Sequence, residues 1–149
     1  MKNFLLAIVM TGFVLTSFTL INSSNSTISS QNAGVGIKFQ KISFADALKL
    51  AKKQNKLIFI DAYTDWCGPC KMLSSRTFTD ANVGTFFNEK FINLKIEMEK
   101  DADGAEIMRR YKVQAYPTLL FVDGNGKLVH TLIGFRNADA LLAEAKKVK

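Results

Sequence analysis

The sequence predicts an α/β fold in which a central mixed β-sheet is flanked by helices. Strand and helix patterns alternate after residue 37, as is typical of a sheet covered by helices. Segment 56–63, KLIFIDAY, is a continuous apolar run, which indicates a strand buried on both faces. Two further apolar runs, 118–123 and 128–135, flank Gly-Asn-Gly-Lys. Because Asn-Gly is a favoured tight-turn pair, these runs predict a hairpin.

The remaining elements follow from periodicity and from capping residues. Segment 91–99, FINLKIEME, alternates apolar and polar residues and predicts another strand. Ser43, Asp80 and Asn137 are residue types that cap helix N-termini, and each precedes a segment with helical character. The predicted helices are 43–54, 67–76, 80–90, 103–112 and 138–149.

Length and composition indicate one globular domain. The chain has 149 residues and is 48% hydrophobic, enough for a core that needs no disulfides. Lys and Arg total 20 against 13 Asp and Glu, a net charge of +7. The basic clusters at 51–56 (AKKQNK) and 145–149 (AKKVK) are short and resemble solvated helix ends. No basic run carries interleaved aromatic residues, so we expect no nucleic-acid partner.

The first 21 residues have the layout of a targeting segment. One lysine precedes an uncharged apolar run from Phe4 to Ile21. This run predicts a signal peptide, or a membrane anchor because its length is at the lower edge of what spans a bilayer. Residues 22–36 are rich in Ser and Asn and predict a flexible linker, followed by a domain at 37–149. We therefore expect an extracytoplasmic location, periplasmic or secreted, with or without a tether through residues 4–21.

The motif DWCGPC at 65–70 contains both cysteines of the chain. Such a pair suits a redox site, half of a metal site or a structural clip. Structural zinc needs four ligands, and the only additional Cys or His is His130, expected to be an ordinary strand residue. The apolar content makes a clip unnecessary. Redox chemistry therefore fits best, and we expect no metal.

The predicted position of the motif suits thiol chemistry. Cys67 falls at the start of a helix, where the thiolate is favoured, and Cys70 follows about one turn later. We expect Cys67 to attack a substrate disulfide and Cys70 to resolve the mixed disulfide. Pro69 is tolerated in a first helical turn, and Gly68 allows close approach of a partner's backbone. Trp66 is expected to shield the sulfur while leaving it accessible.

Asp61 stands inside an apolar strand, where a carboxylate is costly unless it is paired or functional. Burial would raise its pKa and make it a proton acceptor for Cys70 during resolution. The alternative is an aspartate at a strand end that reaches solvent. Lys95, on the predicted neighbouring strand, is a candidate ion-pair partner.

The stretch Ala-Tyr-Pro-Thr at 115–118 places a proline at a strand start, where it cannot donate to the ladder. A cis bond between Tyr116 and Pro117 would set this segment beside the cysteines. It would also expose backbone for pairing with a substrate strand, so we expect a substrate-binding role for both residues.

Together these segments resemble the thioredoxin family. FIDAYTDWCGPCK, then YPTLLFVDGNGKLV and LIGF, carry the resemblance across roughly residues 38–149. It implies a thioredoxin fold and dithiol–disulfide exchange. Ala62 and Tyr63 depart from the family by replacing two larger aromatic residues, and Tyr116 replaces a smaller or aliphatic one. The implied roles are nucleophile for Cys67, resolving thiol for Cys70, buried acid for Asp61, its partner for Lys95, cis proline for Pro117 and substrate-groove glycine for Gly134.

The flanking segments are similar to extracytoplasmic thioredoxin-like proteins, including the C-terminal domain of the membrane thiol:disulfide interchange protein. The Gly-Pro pair between the cysteines is that of thioredoxin and favours a protein-disulfide reductase. The chain has no second cysteine pair or flavin motif, so we expect no cofactor and a membrane thiol–disulfide reductase as electron donor. Protein disulfides are the expected substrates. The alternatives are an oxidase or isomerase on the same fold, and a non-catalytic binding or chaperone module.

Overall fold

A computed structural model describes residues 36–148 of the chain. The predicted leader and the predicted linker up to residue 35 lie outside the described residues. Among those described, no helix combines the length and apolar character needed to cross a bilayer. The elements are α1 Phe44–Gln54, β1 Leu57–Tyr63, α2 Gly68–Met72, a π-helical turn Leu73–Thr77, α3 Ala81–Lys90, β2 Phe91–Glu97, α4 Gly104–Tyr111, β3 Thr118–Val122, β4 Leu128–Ile133 and α5 Ala138–Ala145.

The four strands form one sheet in the order β2-β1-β3-β4. β1 and β2 are parallel, whereas β3 is antiparallel to both β1 and β4, which confirms the predicted mixed sheet. This register brings the last residues of β1, β2 and β4 to the same end of the sheet as the first residue of β3. We call it the cysteine end, because the loop after β1 leads to Cys67; the other is the opposite end.

Hydrophobic cores cover both faces of the sheet. One core joins α1 and α4 to the sheet through residues such as Phe44 and Ile107, and the other joins α3 and α5 through Phe87 and Leu141. The second core is largely aromatic, with Phe59 at its centre in edge or tilted contact with its neighbours. Burial from both sides explains why β1 carries apolar residues on both faces, with Asp61 as the exception.

Two elements differ from the sequence expectation. The alternating segment at 91–99 ends as a strand at Glu97 and is buried on both faces, so its polar residues lie inside. Asn93 is accommodated because its amide donates to the Phe87 carbonyl at 3.2 Å. The helix predicted at 67–76 is interrupted. α2 ends at Met72 and continues as a π-helical turn, a feature without a sequence signature as clear as a proline.

The predicted caps are present. The side chains of Ser43, Asp80 and Asn137 each accept a backbone N–H from the first turn of their helices. The predicted tight turn also forms, since Gly126 has φ +80° and its N–H donates to the Asp123 carbonyl at 2.9 Å. These local signals fix the residue at which each of the three helices begins.

Candidate functional site

The two cysteines form a disulfide at the start of α2. Cys67 is the N-cap, and its sulfur accepts the backbone N–H of Cys70 at 3.2 Å. Its own N–H donates to the Thr64 carbonyl at 3.2 Å, which fixes the loop after β1. Both residues are nearly buried, with Cys67 4% and Cys70 1% exposed. The disulfide is therefore almost covered, with Cys67 slightly the more exposed member.

The two residues between the cysteines leave open space on one side of the motif. Gly68 and Pro69 form the first turn of α2, and a Cβ placed on Gly68 would have no neighbour within 4 Å. Trp66 is 67% exposed, yet it is held at two points. Its indole N–H donates to the Glu99 carboxylate at 3.1 Å, and its ring lies edge-on to Tyr116 at 5.9 Å between centroids. Trp66 thus links the motif to the segment before β3.

That segment contains the Tyr116–Pro117 peptide, which is cis. Pro117 is buried, while Tyr116 is partly exposed. The Pro117 carbonyl accepts the N–H of Gly134 at 2.8 Å, and Gly134 has φ +86°. A Cβ on Gly134 would meet only the Arg136 guanidinium, at 3.9 Å. The three residues predicted to bind substrate are therefore adjacent to one another, and Tyr116 connects them to the disulfide through Trp66.

Asp61 is fully buried in β1, so the alternative in which it reaches solvent is wrong. Its Oδ2 accepts from the Lys95 ammonium at 2.5 Å. Desolvation raises the pKa of Asp61, and the charge and hydrogen bond of Lys95 only partly offset that effect. The second oxygen, Oδ1, is buried and has no hydrogen-bond partner within the described residues. Both the raised pKa and the unpartnered oxygen favour the protonated form of this carboxyl group.

Lys95 is held by groups that sequence reasoning missed. Its ammonium donates to Ser74 Oγ at 2.8 Å and lies 4.1 Å from the centre of the Tyr63 ring. The rings of Phe39 and Phe78 lie within 6 Å on other sides, at 5.7 and 5.5 Å. This aromatic enclosure keeps the side chain only 23% exposed and directs its charge towards Asp61.

A cavity of about 200 Å³ lies beside Cys70 and is also lined by Ser74. Ser74 also contacts Lys95, so a chain of polar groups leads from the buried carboxylate to the cavity beside Cys70. Ser74 follows Cys70 by four residues, and residues four apart share a helix face. That spacing is the signal that could have identified Ser74 from the sequence.

The loop before Cys67 is anchored by Glu97 at the end of β2. Both carboxylate oxygens are used, one by the N–H of Asp65 at 3.1 Å and the other by the N–H of Glu99 at 2.9 Å. Glu97 is 4% exposed, and no helical or strand period marks it as special. Glu97 therefore connects the loop that leads to Cys67 with the segment that carries Glu99, the hydrogen-bond acceptor of Trp66.

His130 lies in β4, as expected, with Nε2 3.5 Å from the Glu144 carboxylate. Within residues 36–148, no three His, Cys, Asp or Glu side chains are grouped as metal ligands would be.

A family model described as a thioredoxin-like domain matches residues 44–149, which include the disulfide, the buried Asp61 and the cis proline. The chain belongs to the thioredoxin-like family. The thiol:disulfide interchange protein DsbD of Colwellia psychrerythraea is 30% identical over 131 residues, covering 85% of this chain and 21% of that protein. DsbD of Tatumella citrea is 31% identical over 118 residues, covering 76% and 20%. This thioredoxin-like chain thus spans about a fifth of these relatives.

Solved structures agree with the assignment. A candidate disulphide-isomerase from Bacteroides thetaiotaomicron has 46% identity and a TM-score of 0.67, covering 76% of this chain and 93% of that one. The oxidised C-terminal domain of DsbD from Neisseria meningitidis has a TM-score of 0.61 over 76% of this chain and 99% of that one; at 21% identity it supports the fold alone. The chain therefore has a thioredoxin fold of the thiol–disulfide oxidoreductase type, with its disulfide at Cys67–Cys70.

Proposed function

We propose that the protein is an extracytoplasmic thiol–disulfide oxidoreductase that reduces protein disulfides through Cys67 and Cys70. The observation that carries the proposal is the disulfide between the only two cysteines, at the start of α2 and with open space beside Gly68. A purely structural clip would gain little here, because the bond closes a very short loop in a domain that already has two hydrophobic cores.

In the reduced protein, the Cys67 thiolate attacks one sulfur of a substrate disulfide, and the other sulfur leaves as a thiolate. Cys70 then loses its proton and attacks the sulfur of Cys67. The mixed disulfide breaks, the substrate keeps two thiols, and the protein keeps the Cys67–Cys70 bond. Two electrons pass to the substrate in each cycle. The greater exposure of Cys67 supports its role as the attacking residue.

Asp61 is proposed to accept the proton that Cys70 releases. Its raised pKa and its unpartnered Oδ1 favour proton uptake. The cavity lined by Cys70 and Ser74 offers the route, because Ser74 contacts Lys95 and Lys95 contacts Asp61. Lys95 acts as a positioning residue, since it orients the carboxyl group without touching a sulfur atom.

Tyr116, Pro117 and Gly134 are proposed to receive an extended substrate segment beside the disulfide, together with the exposed face of Trp66. Pro117 offers no backbone N–H, and Gly134 leaves the space next to it free of a side chain. The edge contact between Trp66 and Tyr116 supports a shared surface.

The reductase direction rests on the Gly68-Pro69 pair, which matches thioredoxin itself. The extracytoplasmic location rests on the apolar segment 4–21 and on the likeness to thiol:disulfide interchange proteins. A reductant in an oxidising compartment needs an electron supply, and the chain has no second cysteine pair. A membrane thiol–disulfide reductase is the proposed donor.

Reduction of insulin disulfides by dithiothreitol tests the activity. The wild-type protein should accelerate the reaction, and Cys67→Ser should remove the acceleration completely. Cys70→Ser is the matched variant: it should trap substrate or donor proteins as mixed disulfides on Cys67. Activity retained in Cys67→Ser would leave a non-catalytic binding module as the better account.

Isomerase activity is the second candidate, because the candidate disulphide-isomerase from Bacteroides thetaiotaomicron is 46% identical. The reduction potential of the Cys67–Cys70 pair separates the two. A value near that of thioredoxin, about −270 mV, supports a reductase, whereas one near about −180 mV supports an isomerase. Recovery of scrambled ribonuclease activity gives an independent measurement.

A further inference from the structure

The opposite end of the sheet has a cavity that the proposed chemistry does not use. It measures about 340 Å³ and lies where β1 and β2 begin. The carboxyl ends of α1, α3 and α5 lead into it. Its lining residues are Asn55, Lys56, Leu57, Phe86, Lys90, Phe91, Lys146 and Val148.

Seven of the eight lining side chains are of two kinds. Four are apolar (Leu57, Phe86, Phe91 and Val148), and three are lysines, Lys56, Lys90 and Lys146. We call this site the lysine pocket. Its lysines come from distant parts of the chain and include members of both basic clusters seen in the sequence. The fold brings together charges that separately resemble ordinary helix ends.

Helix dipoles alone do not account for this arrangement. A lysine in the last turn of a helix offsets partial negative charge on the terminal carbonyl groups, which explains one cation at each helix end. It does not explain an apolar cavity between them. The nearest counter-charge is Glu89, which pairs with Lys90 at 2.8 Å. Both side chains are more than half exposed, so this pair exchanges readily for another anion.

The chain enters the described domain beside α3, the helix whose last residue, Lys90, lines this pocket. The Asn88 side chain accepts the N–H of Lys38 at 2.8 Å and donates to the Gly36 carbonyl at 3.1 Å. Asn88 precedes Lys90 by two residues on α3. Residues 1–35, which come before this point, include the uncharged apolar run 4–21.

From the three lysine charges, the four apolar side chains and this point of entry, we propose that the lysine pocket is a docking site for a bilayer surface that carries anionic lipid. The three lysines of the pocket would contact lipid phosphates, and its four apolar side chains would contact the apolar part of the headgroup region. The disulfide lies at the other end of the sheet, so docking would leave Cys67 free to meet its partners. The proposal does not depend on the redox role of the cysteines.

Binding of the full chain to two kinds of vesicle tests the proposal. One kind is phosphatidylcholine alone, and the other contains one third phosphatidylglycerol. Any contribution of the apolar leader is common to both, so the ratio of the two partition coefficients reports the anionic component. The wild-type ratio should be well above one at low salt. It should fall in molar salt, because the screening length shrinks from about 10 Å to about 3 Å.

The triple variant Lys56→Gln/Lys90→Gln/Lys146→Gln should lower this ratio by about 100-fold, because each lysine near an anionic surface contributes roughly fivefold. The control Lys41→Gln/Lys49→Gln/Lys112→Gln has the same net charge and changes exposed lysines outside the pocket. It should keep most of the wild-type ratio. Insulin reduction should be unchanged in both variants, which separates a failure here from a failure of the proposed oxidoreductase.

Hydrogen exchange on the anionic vesicles gives the second measurement. Amides of segments 55–57, 90–91 and 146–148 should be protected, and those of α2 should not. Equal losses in the two triple variants would overturn the proposal, because net charge alone would then be responsible. A wild-type ratio near one would do the same, as would tighter binding to duplex DNA with the same lysine dependence.

Discussion

The two ends of the sheet use charge in opposite ways. At the cysteine end, the carboxylates of Asp61 and Glu97 are buried and paired. Asp61 pairs with Lys95 on the neighbouring strand, and Glu97 accepts backbone N–H groups from two loops. At the opposite end, Lys90 and Lys146 are exposed around an apolar cavity. Removing the partner of a buried polar group lowers the unfolding free energy substantially. An exposed charge contributes little by itself and acts mainly through the total charge of the surface. We therefore expect single substitutions to be damaging at the cysteine end and tolerated at the other.

The largest expected effect is a loss of catalytic rate in the variant Asp61→Asn. The amide cannot accept the proton of Cys70, so insulin reduction at neutral pH should slow by roughly 100-fold, as for loss of a general base. The difference should shrink towards acidic pH, where the wild-type carboxyl group is itself protonated. Stopped-flow or turbidity rates across the pH range measure this. Identical pH profiles in the two proteins would remove Asp61 from the proton transfer.

The same variant changes stability in a pH-dependent way. Burial raises the pKa of Asp61 above its ordinary value of 3.8, so its stabilising contribution is present below that value and lost as pH rises through the folded pKa. Asp61→Asn should therefore gain stability relative to wild type as pH rises above 4. Asp46 is the matched control, because hydrogen bonds from Lys49 and Ser43 lower its pKa. Asp46→Asn should lose stability relative to wild type as pH rises towards 3.8, by a smaller amount, and should change little above that value.

The next largest effect is a loss of folding stability in the variant Glu97→Ala. The substitution leaves the N–H groups of Asp65 and Glu99 without their acceptor in a part-buried site, so we expect a loss of about 2 kcal/mol or more in unfolding free energy. Lys90→Ala at the opposite end should change it by less than about 0.5 kcal/mol. Urea unfolding of the two variants measures both. Similar losses would contradict the contrast between the ends.

Much of the fold and of the site was predictable from the sequence, because the signals were local. The caps at Ser43, Asp80 and Asn137, the turn at Gly126 and the both-face burial of β1 each depend on neighbouring residues. The cysteine pair was recognised in the same way.

The remaining features depend on contacts between distant segments. Glu97 anchors the loop at Asp65, which lies 32 residues away, and no period or motif marks such a bond. The lysine pocket joins three helix ends, and the sequence shows only that each end is basic. The interruption of α2 by a π-helical turn has no clear residue signature either. Sequence patterns were enough to select Cys67, Cys70 and Asp61 as candidate residues, but the groups that hold them in place required the fold.

A smaller effect is expected at the two glycines with positive φ. Gly134 at the cysteine end and Gly126 at the opposite end have φ +86° and +80°. An alanine in this left-handed region costs about 1 kcal/mol, so both Gly134→Ala and Gly126→Ala should lose that much stability. Only Gly134→Ala should also raise the KM for insulin, because its N–H bonds to Pro117 beside the disulfide. A raised KM in both variants would show that the effect comes from general destabilisation.

The smallest effect concerns Trp66, the only tryptophan of the chain and thus a direct fluorescence probe. Glu99→Ala removes the acceptor of its indole N–H and leaves Tyr116 as the remaining contact. Since the side chain is 67% exposed, water replaces the lost bond at small cost, and kcat/KM for insulin should fall by only about threefold. Fluorescence anisotropy should fall with it. Glu106→Ala, which removes an exposed ion pair on α4, is the control and should change neither quantity. A fall in kcat/KM without a fall in anisotropy would show that Glu99 acts through its charge and not by holding Trp66.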